Sequence, residues 1–117
     1  MPSRFDSHWH SLSFAAMILR EIMDNPLENE TASSRLKQIG LMSVLYYMHL
    51  ANKKLTIANI IEETGLTRGG IWEAVDFLIQ RKLLTETQIK NSLGRGRARQ
   101  FDIPERIFEK LRHFENT

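Results

Sequence analysis

Three arginines separated by small residues are the side chains in this chain best suited to bind a polyanion. Arg95, Arg97 and Arg99 alternate with glycine or alanine in the segment GRGRAR. Guanidinium groups on a narrow hairpin tip repel one another unless an anion lies between them. The small residues would let the backbone lie close to a DNA duplex while the arginines enter the minor groove or clamp phosphates. We therefore expect this segment to contact DNA, with a solvated basic loop as the alternative.

A second set of residues, earlier in the chain, is suited to the recognition of DNA bases. Thr67 is expected to cap a helix predicted over residues 68–82, which begins with Arg68, Gly69 and Gly70. Arg68 is the best candidate for base contact, because its guanidinium can donate two hydrogen bonds to a guanine edge; a phosphate contact or a solvated position is the alternative. Each glycine in this turn costs about 1 kcal/mol of helix stability. Close approach of the backbone to DNA would explain that cost, as would an irregular turn or a helix packed against it.

The next turn of the same helix carries an aromatic and two acidic residues. For Trp72 we expect packing against the hairpin, with contact to sugar and base edges as the alternative, because a large exposed aromatic is costly in the free protein. Glu73 and Asp76 repel phosphate. Glu73 could accept a hydrogen bond from a cytosine amino group, but a salt bridge to a nearby arginine is the safer expectation. Further phosphate contacts are expected around the rim from Lys53, Lys54, Ser34, Arg35 and Lys37.

Two long helices are predicted before this unit, over residues 11–24 and 34–52. Asn25 and Pro26 end the first helix, since the residue before a proline is pushed out of the helical region. Ser34 is expected to cap the second. The first helix has one apolar face with Phe14 and Ile18 beside it, and the helices at the two chain ends either cover each other within one chain or, as we expect, meet a second copy. That face consists of Leu12, Ala15, Ala16, Leu19, Ile22 and Met23, and the second helix has Leu36, Ile39, Met42, Leu45, Tyr46 and Leu50 at helical spacing.

The following elements predict a small unit of helices and strands. Thr56 is expected to cap a short helix that Gly65 ends as a left-handed C-cap residue, and the helix over 68–82 follows. Residues 83–90 and 99–103 alternate as the strands of a hairpin, and a last amphipathic helix comes after them. The predicted fold is mainly α with a small β-hairpin wing, a winged helix-turn-helix with helical extensions at both ends. The helix over 68–82 should face the core with Ile71, Ala74, Val75 and Leu78.

The central segment is similar to a known family of DNA-binding proteins. Residues 66–84, LTRGGIWEAVDFLIQRKLL, with the following GRGRARQFDI, resemble the winged helix-turn-helix of the MarR family of bacterial transcription regulators. The resemblance covers residues 35–103 and implies a homodimer whose end helices form the interface while two winged domains bind a palindromic site. The chain is short for the family and lacks its common wing aspartate, so small-molecule sensing is not carried over. The residues that the family pattern places on DNA are Thr67, Arg68, Gly70, Trp72, Arg95 and Arg97.

The composition narrows the remaining classes of protein. The chain has 117 residues and no cysteine, which excludes disulfides and zinc-thiolate sites and suits a reducing compartment. It has no apolar run near the roughly 20 residues that span a bilayer, and its start lacks the layout of a signal peptide. We therefore expect a cytoplasmic protein without a membrane partner.

The net charge of +2 is unevenly distributed. Residues 1–33 carry two basic and five acidic side chains, whereas residues 34–117 carry fourteen basic and nine acidic ones. The acidic arm and the basic body are therefore expected to have different partners.

The sequence does not favour an enzyme or a metal protein. The spacing of His8 and His10 is a weak metal signal without a thiol or carboxylate partner placed to complete a site. No glycine-rich phosphate loop, nucleophile elbow or isolated carboxylate pair is present. We expect no metal, no cofactor and no catalytic activity.

The sequence therefore predicts a DNA-binding transcription regulator, most simply a homodimeric repressor. Residues 1–33 would form a helical dimerisation arm, residues 34–103 the DNA-binding domain and residues 104–117 a second dimerisation helix. The helix over 67–82 would enter the major groove of double-stranded DNA, and the wing at 91–99 would reach the minor groove. One alternative is a plasmid or phage accessory protein for replication or conjugative transfer. Another is a winged-helix module that binds proteins through Trp72 and the neighbouring acids.

Overall fold

The chain folds into helices around a small sheet. The computed structural model describes the backbone of residues 4–90 and 97–116 and the side chains of residues 10–87 and 99–116. Within these residues the protein is mainly helical with one three-stranded antiparallel sheet, which confirms the predicted α+β class. The elements are α1 (Arg4–Asp24), α2 (Ala32–Leu50), β1 (Leu55–Thr56), α3 (Ile57–Thr64), α4 (Arg68–Gln80), β2 (Thr85–Lys90), β3 (Arg97–Asp102) and α5 (Glu105–Glu115).

The sheet has the strand order β1-β3-β2. β2 and β3 form a hairpin in which Lys90 lies opposite Arg97 and Glu86 lies opposite Phe101. The short strand β1 pairs with the other side of β3, with Leu55 opposite Phe101. The hairpin tip at residues 91–96, with Arg95, lies outside the described residues, as does the side chain of Arg97.

The helix boundaries around α3 and α4 follow the predicted caps. Thr56 Oγ1 accepts a hydrogen bond from the Asn59 N–H at 3.2 Å, and Thr67 Oγ1 accepts one from the Gly70 N–H at 3.1 Å. Gly65 ends α3 with φ at 71°, in the left-handed region that favours glycine. These three predictions are confirmed.

The prediction that Ser34 caps α2 is wrong. The helix begins earlier, at Ala32, because the Thr31 hydroxyl accepts the Ser34 N–H at 3.0 Å. That hydrogen bond makes Thr31 the cap residue and places Ser34 inside the first turn, where it is buried.

A single hydrophobic core joins the helices and the sheet. All four residues predicted to face inward from α4 are buried, and so are Phe101 and Ile103. The helix α1 adds Phe14, Ile18 and Ile22 to the same core, and α5 adds Ile107 and Leu111. The predicted terminal extensions therefore pack within the chain against the central unit. No helix among the described residues is both long enough and apolar enough to cross a bilayer.

The buried sides of the two long helices differ from the apolar faces read from the sequence. In α1, Leu12 is 66% exposed and Leu19 and Met23 are exposed as well, while Phe14 is buried. The Phe14 ring stacks on Tyr46 with centroids 4.1 Å apart, so that burial of this aromatic ring sets the rotation of α1. In α2, Leu36 and Leu50 are exposed, and the buried Gln38 takes a core position instead.

A buried polar network explains why Gln38 lies inside. Glu30, in the predicted polar loop before α2, has a fully buried side chain, and both its carboxylate oxygens accept from the Arg81 guanidinium, at 2.5 and 2.6 Å. Gln38 Nε2 donates to Glu30 at 2.5 Å, while its amide oxygen accepts from Arg81 Nε at 2.9 Å. Arg81 also donates to the Asn25 carbonyl at 2.6 Å. The network therefore ties the α1–α2 connection to the end of α4.

Candidate nucleic-acid interface

The first turn of α4 is the exposed, positively charged end of a helix. Thr67 has extended backbone angles and uses its hydroxyl to satisfy the Gly70 N–H. Arg68 and Gly69 are exposed on this turn. The unpaired N–H groups of a helix N-terminus carry a partial positive charge that attracts anions. The predicted base-contact residue Arg68 therefore lies where the helix itself also favours a phosphate or a base acceptor.

The two glycines of this turn differ in their surroundings. A Cβ atom built on Gly70 would lie 3.1 Å from Thr67 Oγ1 and 3.7 Å from Lys37 Nζ. A Cβ atom built on Gly69 would meet nothing within 4 Å. Packing within the chain therefore favours glycine at Gly70, whereas it does not explain why glycine occurs at Gly69.

The three residues of α2 that were predicted to contact phosphate lie in different environments. Lys37 extends its ammonium group toward the first turn of α4, as its distance to Gly70 indicates. Ser34 is buried, so the prediction that it contacts phosphate at the surface is wrong. Arg35 lies 4.0 Å from the buried carboxylate of Glu30. Of this group, Lys37 alone adds positive charge beside Arg68.

Arg99 of β3 is held between the hairpin and α4. Its guanidinium donates to Glu86 at 2.6 and 2.9 Å and to Asp76 at 2.9 Å, and its side chain is only 18% exposed. The hydrogen bonds from Arg99 hold the pKa of Glu86 below its ordinary value, and the pairing with Glu86 and Asp76 raises the pKa of Arg99. Arg99 was predicted to contact DNA directly. These contacts suit it to fixing the hairpin against α4.

Trp72 lies against Arg99 but is not covered by it. The guanidinium carbon of Arg99 is 5.1 Å from the Trp72 ring centroid and 5.2 Å from that of Phe101, which are cation–π distances. Trp72 nevertheless remains 44% exposed. The predicted contact with the hairpin is therefore made through one arginine, and nearly half of the indole faces solvent.

The acidic residues of α4 are divided between two environments. Asp76 forms a salt bridge to Arg99 at 2.9 Å, so its carboxylate has a cationic partner within the fold. Glu73 is exposed and borders a shallow groove with Asp76, Phe77 and Gln80. Among the described side chains, the arginine salt bridges of this region go to Asp76 and Glu86, not to Glu73 as the sequence suggested.

Lys53 and Lys54 lie at another part of the surface. They border a depression with Gln100 and Asp102 of β3. The Lys53 ammonium pairs with Glu63 of α3, which raises the pKa of Lys53. Among the contacts of the described residues, none joins either lysine to Arg68, Trp72 or Arg99.

Sequence reasoning missed the partners of the arginines. Glu86 is diagonal to Arg99 across the hairpin, because Gln88 pairs with Arg99 and side chains alternate along a strand. The length of the hairpin turn sets the register of the two strands, so it could have indicated the pair of Glu86 and Arg99. The salt bridges from Arg99 to Asp76 and from Arg81 to Glu30 have no local sequence signal, since they join separate elements.

Comparisons with protein-family models, with curated proteins and with solved structures found no match to this chain. The function is therefore argued from the residues and their geometry.

Proposed function

We propose that this protein is a sequence-specific, double-stranded DNA-binding transcription regulator with a winged helix-turn-helix. In this proposal α3 and α4 form the helix-turn-helix, α4 enters the major groove, and the β2–β3 hairpin is the wing at the minor groove. The observation that carries it is the first turn of α4, where Arg68 and Gly69 are exposed on a helix that Arg99 joins to the β2–β3 hairpin.

The arrangement of elements supports this assignment. The order α2-β1-α3-α4-β2-β3, with β3 between β1 and β2, places a hairpin directly after the second helix of a helix-turn-helix. The bonds from Arg99 to Asp76 and Glu86 fix that hairpin relative to α4. A fixed distance between a groove-reading helix and its wing is what recognition of a rigid duplex requires.

The exposed side of α1 supports a homodimer. Leu12, Leu19 and Met23 are exposed and recur at intervals of seven and four residues, which places them on one side of the helix. A second copy that covered this stripe would pair two DNA-binding units, and a symmetric dimer favours an inverted-repeat site. Repression by steric exclusion of polymerase is the simplest consequence of such binding.

Replacing Arg68 by alanine tests the placement of α4. The site would first be selected by incubating the protein with a random-sequence duplex library near physiological salt and sequencing the retained duplexes. We expect the R68A variant to bind the selected duplex about 10- to 100-fold more weakly and to lose preference at one base position, as loss of a bidentate base contact predicts. Arg112→Ala, on the exposed side of α5, is the matched control. Unchanged affinity and preference in R68A would contradict this placement.

Replacing Gly69 by alanine should separate stability from binding. The new methyl group has open space in the free protein, so we expect the unfolding free energy to rise by up to about 1 kcal/mol. If the backbone of this turn approaches DNA closely, the same methyl group should weaken binding of the selected duplex. Gly40→Ala is the matched control. Gly40 lies at an exposed position of α2, and a Cβ atom built on it would also meet nothing within 4 Å. A G69A variant with full DNA affinity would show that Gly69 is not needed at the interface.

The protein-interaction alternative makes a contrary prediction. The groove beside Glu73 and Asp76 would then bind a protein segment. Failure of the selection to retain any duplex, at low as well as physiological salt, would favour that function, because phosphate contacts make DNA binding strengthen as salt is lowered.

A further inference from the structure

The indole of Trp72 remains 44% exposed although Arg99 lies over its ring. Among the described residues, the other large exposed apolar side chains all lie on α1 and α2, and Trp72 is the one on the α3–α4–hairpin unit. It follows Arg68 by four residues, which places both side chains on the same side of α4. An apolar surface of this size beside a base-contacting arginine calls for an apolar partner.

The indole is also held in place. Arg99 lies over the ring, and its own guanidinium is fixed by hydrogen bonds to Glu86 and Asp76. A side chain that is already immobilised loses little conformational entropy on binding. The same guanidinium carbon lies 5.2 Å from the ring centroid of the buried Phe101, so Arg99 also packs against the core. Trp72 is therefore a preformed surface and not a flexible one.

Resting on the proposed function, we propose that Trp72 recognises the 5-methyl group of thymine in the major groove. This methyl group is the apolar feature that base pairs present on the major-groove edge. Arg68, one turn nearer the helix N-terminus, would contact the adjacent base step. The two residues would together specify a guanine next to, or one step from, a thymine.

The alternative roles of Trp72 predict a different dependence of binding on the DNA bases. A contact between Trp72 and deoxyribose would not depend on base identity, and packing of Trp72 on the hairpin alone would not depend on DNA at all. Recognition of the methyl group requires that its removal weaken binding at one position of each half-site. Deoxyuridine differs from thymidine by that one methyl group, so it isolates the contact.

The experiment uses the duplex that the parent protein enriches from the random library. That duplex is synthesised with thymine throughout and with uracil replacing thymine at one position at a time. We expect the parent protein to bind about fourfold more weakly at one position per half-site, the effect of losing one buried methyl group. Trp72→Ala should bind the thymine and uracil duplexes equally, whereas R68A should keep the difference. Trp72→Phe, which retains an aromatic surface, should keep part of it.

The outcomes separate this inference from the function on which it rests. No enrichment of any duplex by the parent protein would overturn the proposed function and the inference with it. Enrichment with equal affinity for thymine and uracil at every position would overturn the inference and leave the function standing. A thymine preference that persists in Trp72→Ala would assign the methyl contact to another residue and would also overturn it. Urea unfolding of the Trp72 variants would verify that they are folded.

Discussion

Replacing Arg81 by methionine is expected to lower the unfolding free energy by about 3 to 5 kcal/mol at neutral pH. The Arg81 side chain is 4% exposed and its partner Glu30 is fully buried. Methionine keeps most of the volume but removes the cation that donates to both oxygens of the buried Glu30 carboxylate, and Arg35 then remains as a cation 4.0 Å away. Loss of one partner of a buried ion pair has a cost of this size because the remaining buried charge loses its hydrogen-bonded counter-charge. Urea unfolding followed by circular dichroism would measure it.

Two variants test whether the buried charge is the cause. Arg112 forms a salt bridge with Glu105 at 3.7 Å in which both side chains are largely exposed, so Arg112→Met should change stability by less than about 1 kcal/mol. Combining Arg81→Met with Glu30→Met removes both charges and should recover part of the loss. An Arg81 variant as stable as the Arg112 control would show that the pair contributes nothing to the fold.

The pH dependence of the unfolding free energy in acid gives an independent measure of the contribution of Glu30 to stability. Although burial opposes ionisation, hydrogen bonds from the Leu27 N–H, Arg81 and Gln38 keep the pKa of Glu30 below its ordinary value of 4.5. The unfolded chain therefore binds the proton first as the pH falls. This contribution is complete above pH 4.5 and is lost as the pH falls through the lower, folded-state pKa. In Glu30→Gln, the free energy of unfolding should therefore fall less steeply as the pH is lowered. Some pH dependence should remain, because the pKa of Glu86 is also lowered.

Replacing Phe14 by alanine is expected to have an effect of similar size, about 3 to 5 kcal/mol. Phe14 is 1% exposed and stacks on Tyr46 in the core. Its removal loses buried apolar area and leaves a cavity between α1 and α2. The midpoint of urea unfolding, measured at protein concentrations low enough to keep the chain monomeric, would give the change.

Leu12, on the same helix, is the matched control. It is a large apolar residue that sequence periodicity placed on the apolar face of the first helix, yet it is exposed. Leu12→Ala should change monomer stability by no more than about 0.5 kcal/mol. If Leu12→Ala were as destabilising as Phe14→Ala, α1 would be rotated relative to the structure described here.

Local chemistry made the α3–α4 unit predictable. Threonine caps, a left-handed glycine and four apolar residues at helical spacing each act within a few residues, so the sequence contains the whole cause. The rotation of α1 was not predictable in the same way. Its apolar residues cover more than one side, and the choice between sides depends on Tyr46, which belongs to another helix.

The same distinction between local causes and contacts to distant elements applies to the candidate site. Arg68 and Gly69 were placed correctly at an exposed first turn, because position in a capped helix determines exposure there. The contacts of Arg99 depend on Asp76, which is 23 residues away, and on the packing of the hairpin against α4. Alternation predicts only that Arg99 shares a face with Arg95 and Arg97. It does not predict which arginine is held by carboxylates.

The meeting of the first and last helices has a consequence for the order of folding. Tyr46 of α2 stacks on Phe14 of α1 and also contacts the Phe108 ring of α5, with centroids 6.4 Å apart. His10 Nδ1 of α1 and Glu115 Oε2 of α5 lie 2.5 Å apart, within hydrogen-bond distance. During synthesis, the cover over Tyr46 is therefore incomplete until α5 has emerged from the ribosome. The nascent chain should remain open to chaperones and proteases until then, and a fragment limited to residues 34–103 would expose the same surface permanently.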